Sequence, residues 1–122
     1  MLIQVNTDTN IEGGDKFVAY VEAEMDRLLS RFRDHLSRLE IHLSDENGGK
    51  PGANDKRCIL EARRSGHSAL VVRHDGATLE EAWTGAAKKL VHALESDLGR
   101  DADHKGAASI RTGEPAAPTI LL

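Results

Sequence analysis

At 122 residues the chain has room for one small domain and one hydrophobic core. Aromatic residues are only 3% of it, so Leu, Val, Ile and Ala must build the interior around Phe17, Phe32 and Trp83, and a single-strand reader made of aromatic platforms is excluded. A net charge of −4 excludes loose coating of nucleic acid or membrane, yet leaves room for a localised anion contact.

The elements follow in chain order. Residues 2–6 are a short β-branched run ended by polar residues 7–10, which predicts a first strand. Gly13-Gly14-Asp15 then supplies a turn and an N-cap. Val18, Val21, Met25, Leu28, Leu29 and Phe32 recur at helical spacing behind it. The charges of this helix are graded, with Glu22, Glu24 and Asp26 early and Arg27, Arg31 and Arg33 late, an order that complements the helix macrodipole.

From Arg38 the period changes to two. Leu39, Ile41 and Leu43 alternate with Arg38, Glu40 and His42, the pattern of a strand with one buried face. Residues 45–55 read as a loop through Asn-Gly-Gly and Lys-Pro-Gly. A third strand over 56–64 puts Cys58, Leu60 and Ala62 on one face and Arg57, Ile59, Glu61 and Arg63 on the other. Ser65-Gly66 turns the chain into a fourth strand over 67–74, closed by Asp75-Gly76.

Thr78-Leu-Glu-Glu81 is a capping box, and Leu79, Ala82, Trp83, Ala86, Leu90, Val91, Leu94 and Leu98 form the apolar face of a second helix that Gly99 terminates. Beyond it the composition turns to Ala, Gly, Asp and Pro, so residues 100–122 are expected to be a disordered tail after a domain of 1–99. The order is β-α-β-β-β-α. It predicts an α+β fold in which a four-stranded sheet carries both helices on one face, and the other face displays Arg38, His42, Arg57, Ile59 and Arg63.

Charge is uneven along the chain. Residues 56–74 carry Lys56, Arg57, Arg63, Arg64 and Arg73 against the single acid Glu61, whereas the flanking segments are both acidic. Counterion release rewards such clustering, which points to a phosphate partner; the competing reading is a solvated face that balances the acidic helices. Cys58 is in phase with Leu60 and Ala62, as a small core residue is, and it has no positioned base that would make it a nucleophile. As the only cysteine it also leaves no internal disulfide. The six histidines show neither His-x-x-x-His on a helix nor a cysteine pair, so no metal and no other cofactor is expected. Gly48-Gly49-Lys50 lacks the spacing of a phosphate loop, and Trp83 among alanines and leucines reads as a core plug. The N-terminal residues lack the basic region and apolar run of a secretion signal, and no window approaches a membrane span. A cytoplasmic location without membrane contact is therefore expected.

The element order and the block from Asp75 through Ala82, Trp83, Gly85, Lys88, Lys89 and Leu90 to Leu94 resemble the ribosome-associated inhibitor and hibernation-promoting factor family over roughly residues 1–99. Gly85, Lys89, Leu90 and Leu94 fall on the small-residue centre, the Lys-Leu pair and the following Leu of that family's second helix. The segment from His42 to Lys50, followed by 55–63, looks like a compact variant of the same family. The resemblance implies a double-stranded-RNA-binding-like fold, no catalysis and no small-molecule substrate. It also implies docking in the tRNA channel of the small ribosomal subunit and repression of translation in stress or stationary phase. Basic side chains would meet ribosomal RNA phosphates: Lys88 and Lys89 on the second helix and Arg27 and Arg31 on the first, beside the strand residues Lys56, Arg57, Arg63 and Arg64. Relatives continue with basic residues at the end of the second helix, where this chain has Glu95, Ser96, Asp97 and Leu98. The alternative is a non-ribosomal interaction module that keeps the fold and binds a regulatory protein through its open sheet face or first-strand edge.

Overall fold

The computed structural model describes residues 1–8, 11, 14–46 and 55–111, with side chains through residue 100. Gly13, most of the 45–55 loop and the last part of the tail lie outside the described residues. The elements are β1 (Leu2–Thr7), α1 (Asp15–Leu28), a 3-10 helix (Ser30–His35), β2 (Arg38–Asp45), β3 (Lys56–Arg63), β4 (Leu70–Gly76) and α2 (Leu79–Arg111). The chain divides into two compact units, 1–92 and 93–122.

In the first unit the strands lie in the order β1-β2-β3-β4. β1 runs parallel to β2, with Leu2 opposite Arg38 and Thr7 opposite Leu43, because α1 is the crossover between them. The remaining two pairings are antiparallel, with Ile41 opposite Leu60 and Leu60 opposite Val72. Period-two alternation then sorts the side chains. Leu39, Ile41, Leu43, Cys58, Leu60 and Ala62 are buried on one face, under Val21 and Met25 of α1 and Ala82, Ala86 and Leu90 of α2. Trp83 is the expected plug, with its ring centroid 6.2 Å from Phe17 and 6.0 Å from Tyr20.

Within the run Gly13-Gly14-Asp15, Gly14 is the N-cap of α1 and Asp15 the first helical residue, which puts its charge at the positive end. Three boundaries differ from the sequence reading. The α-helix stops at Leu28 and tightens into the 3-10 segment, which keeps Phe32 buried although the α repeat has ended. β4 begins at Leu70, because His67 N–H donates to the Arg64 carbonyl at 3.0 Å and makes 64–67 a β-turn; Gly66 takes its φ of +78°. Finally, α2 does not end at Gly99 but continues to Arg111. A glycine costs about 1 kcal/mol in a helix interior, which Leu98, Arg100 and Ala102 beside Gly99 and the Arg100–Asp97 bridge across it offset in part.

The start of α2 is as expected. The Glu81 N–H donates to Thr78 Oγ1 at 3.1 Å, and the Glu81 carboxylate accepts from the Ala77 N–H at 3.2 Å, one residue earlier than in the usual reciprocal box.

In the second unit α2 continues from Ala93, and Arg100 bridges to Asp97 at 3.0 Å one turn back.

Candidate functional site

Two surfaces carry the basic residues singled out by sequence. On the open sheet face the register sets side chains in rows across the strands. Arg38 stands opposite Arg63, Glu40 opposite Glu61, and Ser44 opposite Arg57, which in turn faces Asp75. The arginines are therefore interleaved with acids. Arg57 Nε lies 3.2 Å from Asp75 Oδ1, and its Nη1 is 3.5 Å from Glu46. Arg63 Nη2 donates to Glu61 Oε2 at 2.6 Å, Arg38 Nε to Glu40 Oε2 at 2.9 Å, and Arg73 Nη2 to Asp75 Oδ2 at 3.1 Å. The side-chain amide of Gln4 also bonds to Arg38. Bonding to Arg73, and then to Arg57, holds the Asp75 carboxyl below its ordinary range.

The positive stretch of sequence is thus largely compensated in space. Glu40 comes from β2, and Glu46 and Asp75 close in from the strand ends, none of which a one-dimensional charge count over 56–74 could include. Lys56 and Arg57, adjacent in sequence, point to opposite faces. Lys56 contacts Asp55 at 3.0 Å and Asp45 at 3.5 Å, and bonding to Asp55 raises its pKa above the ordinary value. Arg64 is buried beside the turn.

The second surface is the helix layer. Lys88 lies along a shallow groove with Leu28, Thr84, Ala87, Val91 and His92, and makes no ion pair among the described residues. Lys89 Nζ instead donates to the Arg73 carbonyl of β4 at 2.7 Å, tying α2 to the edge of the sheet. Arg27 pairs with Glu24 at 3.2 Å one turn earlier, an exposed contact, and the Arg31 guanidinium sits 4.7 Å above the Phe32 ring centroid. The structure brings Arg57 and Arg63 onto one face, and Arg27, Arg31 and Lys88 onto the helices that cover the other.

Cys58 is fully buried, and burial pushes its thiol up from 9.0 to about 12. It is a packing residue. One grouping escaped sequence reasoning: Glu40, His42 and Glu61 gather on the open face with ligand-type atoms all within 4.8 Å of one another. The signal was Glu-x-His on one strand, which sets both side chains on one face; the third member comes from the neighbouring strand and needs the register. Among the described residues no helix is long and apolar enough to cross a membrane.

A β-α-β-β-β-α sheet with two helices on one face and an uncovered polar face defines a double-stranded-RNA-binding-like α+β domain. Two solved structures share the fold. The N-terminal domain of Protein Y from Thermus thermophilus matches with a TM-score of 0.60 and 24% identity, covering 79% of this chain and 98% of that one. A ribosomal subunit interface protein from Coxiella burnetii matches with a TM-score of 0.54 and 16% identity, covering 84% and 99%. No curated protein is significantly similar to the chain in sequence. The family model for sigma 54 modulation protein / S30EA ribosomal protein matches residues 3–100. The chain belongs to that family, and with it to the ribosome-associated modulation factors.

Proposed function

We propose that the chain is a non-enzymatic cytoplasmic factor that binds the small ribosomal subunit in the tRNA channel and represses translation during stress or stationary phase. The observation that carries this reading is the family match over residues 3–100, which takes in all but the first residue of the sheet, the whole of α1 and α2 as far as Arg100. The ribosome-binding unit is residues 1–99. Its contacts are basic side chains on ribosomal RNA phosphates: Arg27, Arg31, Lys88 and Lys89 from the helix layer, Lys56, Arg57 and Arg63 from β3, and Arg64 from the turn that follows it. Lys88 pairs with no carboxylate among the described residues and so meets phosphate without displacing one of them. Arg57 and Arg63 already hold carboxylates, but a guanidinium has five N–H donors, and those left over reach a second anion.

The test is sucrose-gradient sedimentation of stationary-phase lysate at low and moderate salt. Co-migration with small subunits, weakened by salt and lost in an Arg57→Glu, Arg63→Glu, Lys88→Glu variant that keeps its fold, is the expected result. Protein found only at the top of the gradient at both salt concentrations overturns it.

The charge compensation of the open face favours a second reading, a module that binds a regulatory protein there. A near-neutral lattice of paired charges suits a protein surface better than a polyanion. That reading expects a protein partner whose co-purification survives ribonuclease.

A further inference from the structure

We propose that Glu40, His42 and Glu61 on the open sheet face form a binding site for a divalent transition-metal ion of the zinc type. This rests on the geometry of the sheet and not on the ribosomal reading.

The register places two glutamates directly opposite each other, Glu40 on β2 and Glu61 on β3. Like charges in facing cross-strand positions repel, so an unassisted pair is an electrostatic cost that the sheet has to compensate. Arginines compensate part of it, each from one side. Arg38 takes Oε2 of Glu40 and Arg63 takes Oε2 of Glu61. On Glu40 the opposite oxygen, Oε1, faces His42 Nε2 at 3.5 Å. His42 follows Glu40 by two residues, so its imidazole projects from the same face, diagonal to Glu61. The result is two carboxylates and an imidazole converging from adjacent strands, with guanidinium groups fixing the glutamates from outside. Outer groups of this kind orient metal ligands in known sites.

Distances and donor chemistry fit an ion of this class. Three donors at about 2.1 Å from a tetrahedral centre stand about 3.4 Å apart, a contraction from the present 4.8 Å limit that small side-chain rotations supply. An imidazole among the ligands favours zinc and its neighbours over magnesium or calcium, which prefer oxygen alone. Half exposure of His42, at 43% of its side-chain surface, gives an ion access and leaves remaining positions to water. The ion would supply positive charge between the two glutamates.

The test uses the full chain, freed of metal with chelator, and zinc chloride alone as the titrant in calorimetry at pH 7. One equivalent is expected to bind, with affinity falling at least tenfold in His42→Ala and in Glu61→Gln, and histidine ring resonances in NMR shifting at His42. Far-UV circular dichroism checks that both variants stay folded. Cobalt substitution adds a readout independent of affinity, because four-coordinate cobalt gives an intense visible absorption that His42→Ala should abolish. The chain has six histidines, so zinc binding unchanged by His42→Ala would put the ion elsewhere and overturn the proposal. Absence of binding at millimolar zinc would also overturn it.

Discussion

The imidazole of His74 on β4 lies against the bare Cα of Gly85 on α2, so close that a methyl group added at Gly85 would stand 2.1 Å from His74 Cδ2. This contact lets the second helix settle on the sheet at its small-residue centre. Gly85→Ala forces the ring or the helix to move, and a loss of about 1–3 kcal/mol is expected from such overpacking. Urea unfolding followed by the fluorescence of Trp83, the one tryptophan, measures it. Adding His74→Ala should recover much of the loss, a non-additivity that a double-mutant cycle reads directly.

The adjacent lysines of α2 should separate when tested. Lys89→Ala removes the bond to the Arg73 carbonyl and should lower stability by about 1 kcal/mol as well as weakening ribosome binding. Lys88→Ala breaks no ion pair among the described residues and should reduce co-sedimentation with small subunits without moving the urea midpoint. Equal destabilisation by both would contradict this division.

Cys58 should resist alkylation in the native state. Its thiol keeps its proton up to about 12 when folded but only to 9.0 when exposed, so between those values the unfolded chain releases a proton that the folded one holds. Stability contributed by burial is complete below pH 9 and is lost as pH rises toward 12. Thiol labelling at pH 8 should therefore track global unfolding in urea, and Cys58→Ser should lessen the alkaline loss of stability.

Helix α2 passes through Gly99, where an added methyl would meet nothing within 4 Å. Gly99→Ala should raise helical content and add about 0.5–1 kcal/mol to the helix, measurable by circular dichroism across a thermal melt. No gain would mean that the helix ends near residue 99 in solution.

The strands were legible because each side of the sheet has its own solvent. Leu39, Ile41 and Leu43 alternate with charged residues, and the buried set in β3 follows the same rule. Helix ends were less so. Nothing local in Gly99 distinguishes a cap from a tolerated interior glycine, and the change from α to 3-10 after Leu28 keeps the apolar spacing on which periodicity relies. The character of the open face was hidden for another reason: Arg57 is neutralised by Glu46 and Asp75, and such partners are set by register. Glu40, His42 and Glu61 come together by the same logic, through one strand pairing that joins positions distant in sequence.

Parallel pairing of β1 with β2 orders the assembly of the molecule in time. β2, β3 and β4 are neighbours along the chain and can zip together as a meander, whereas pairing Leu2 with Arg38 has to close the longer stretch of chain that contains α1. As the polypeptide is made, the first strand emerges earliest yet waits longest for its partner. Docking of this edge is therefore expected late in folding, and the β1 amides should be the first in the sheet to exchange with solvent when the native protein breathes.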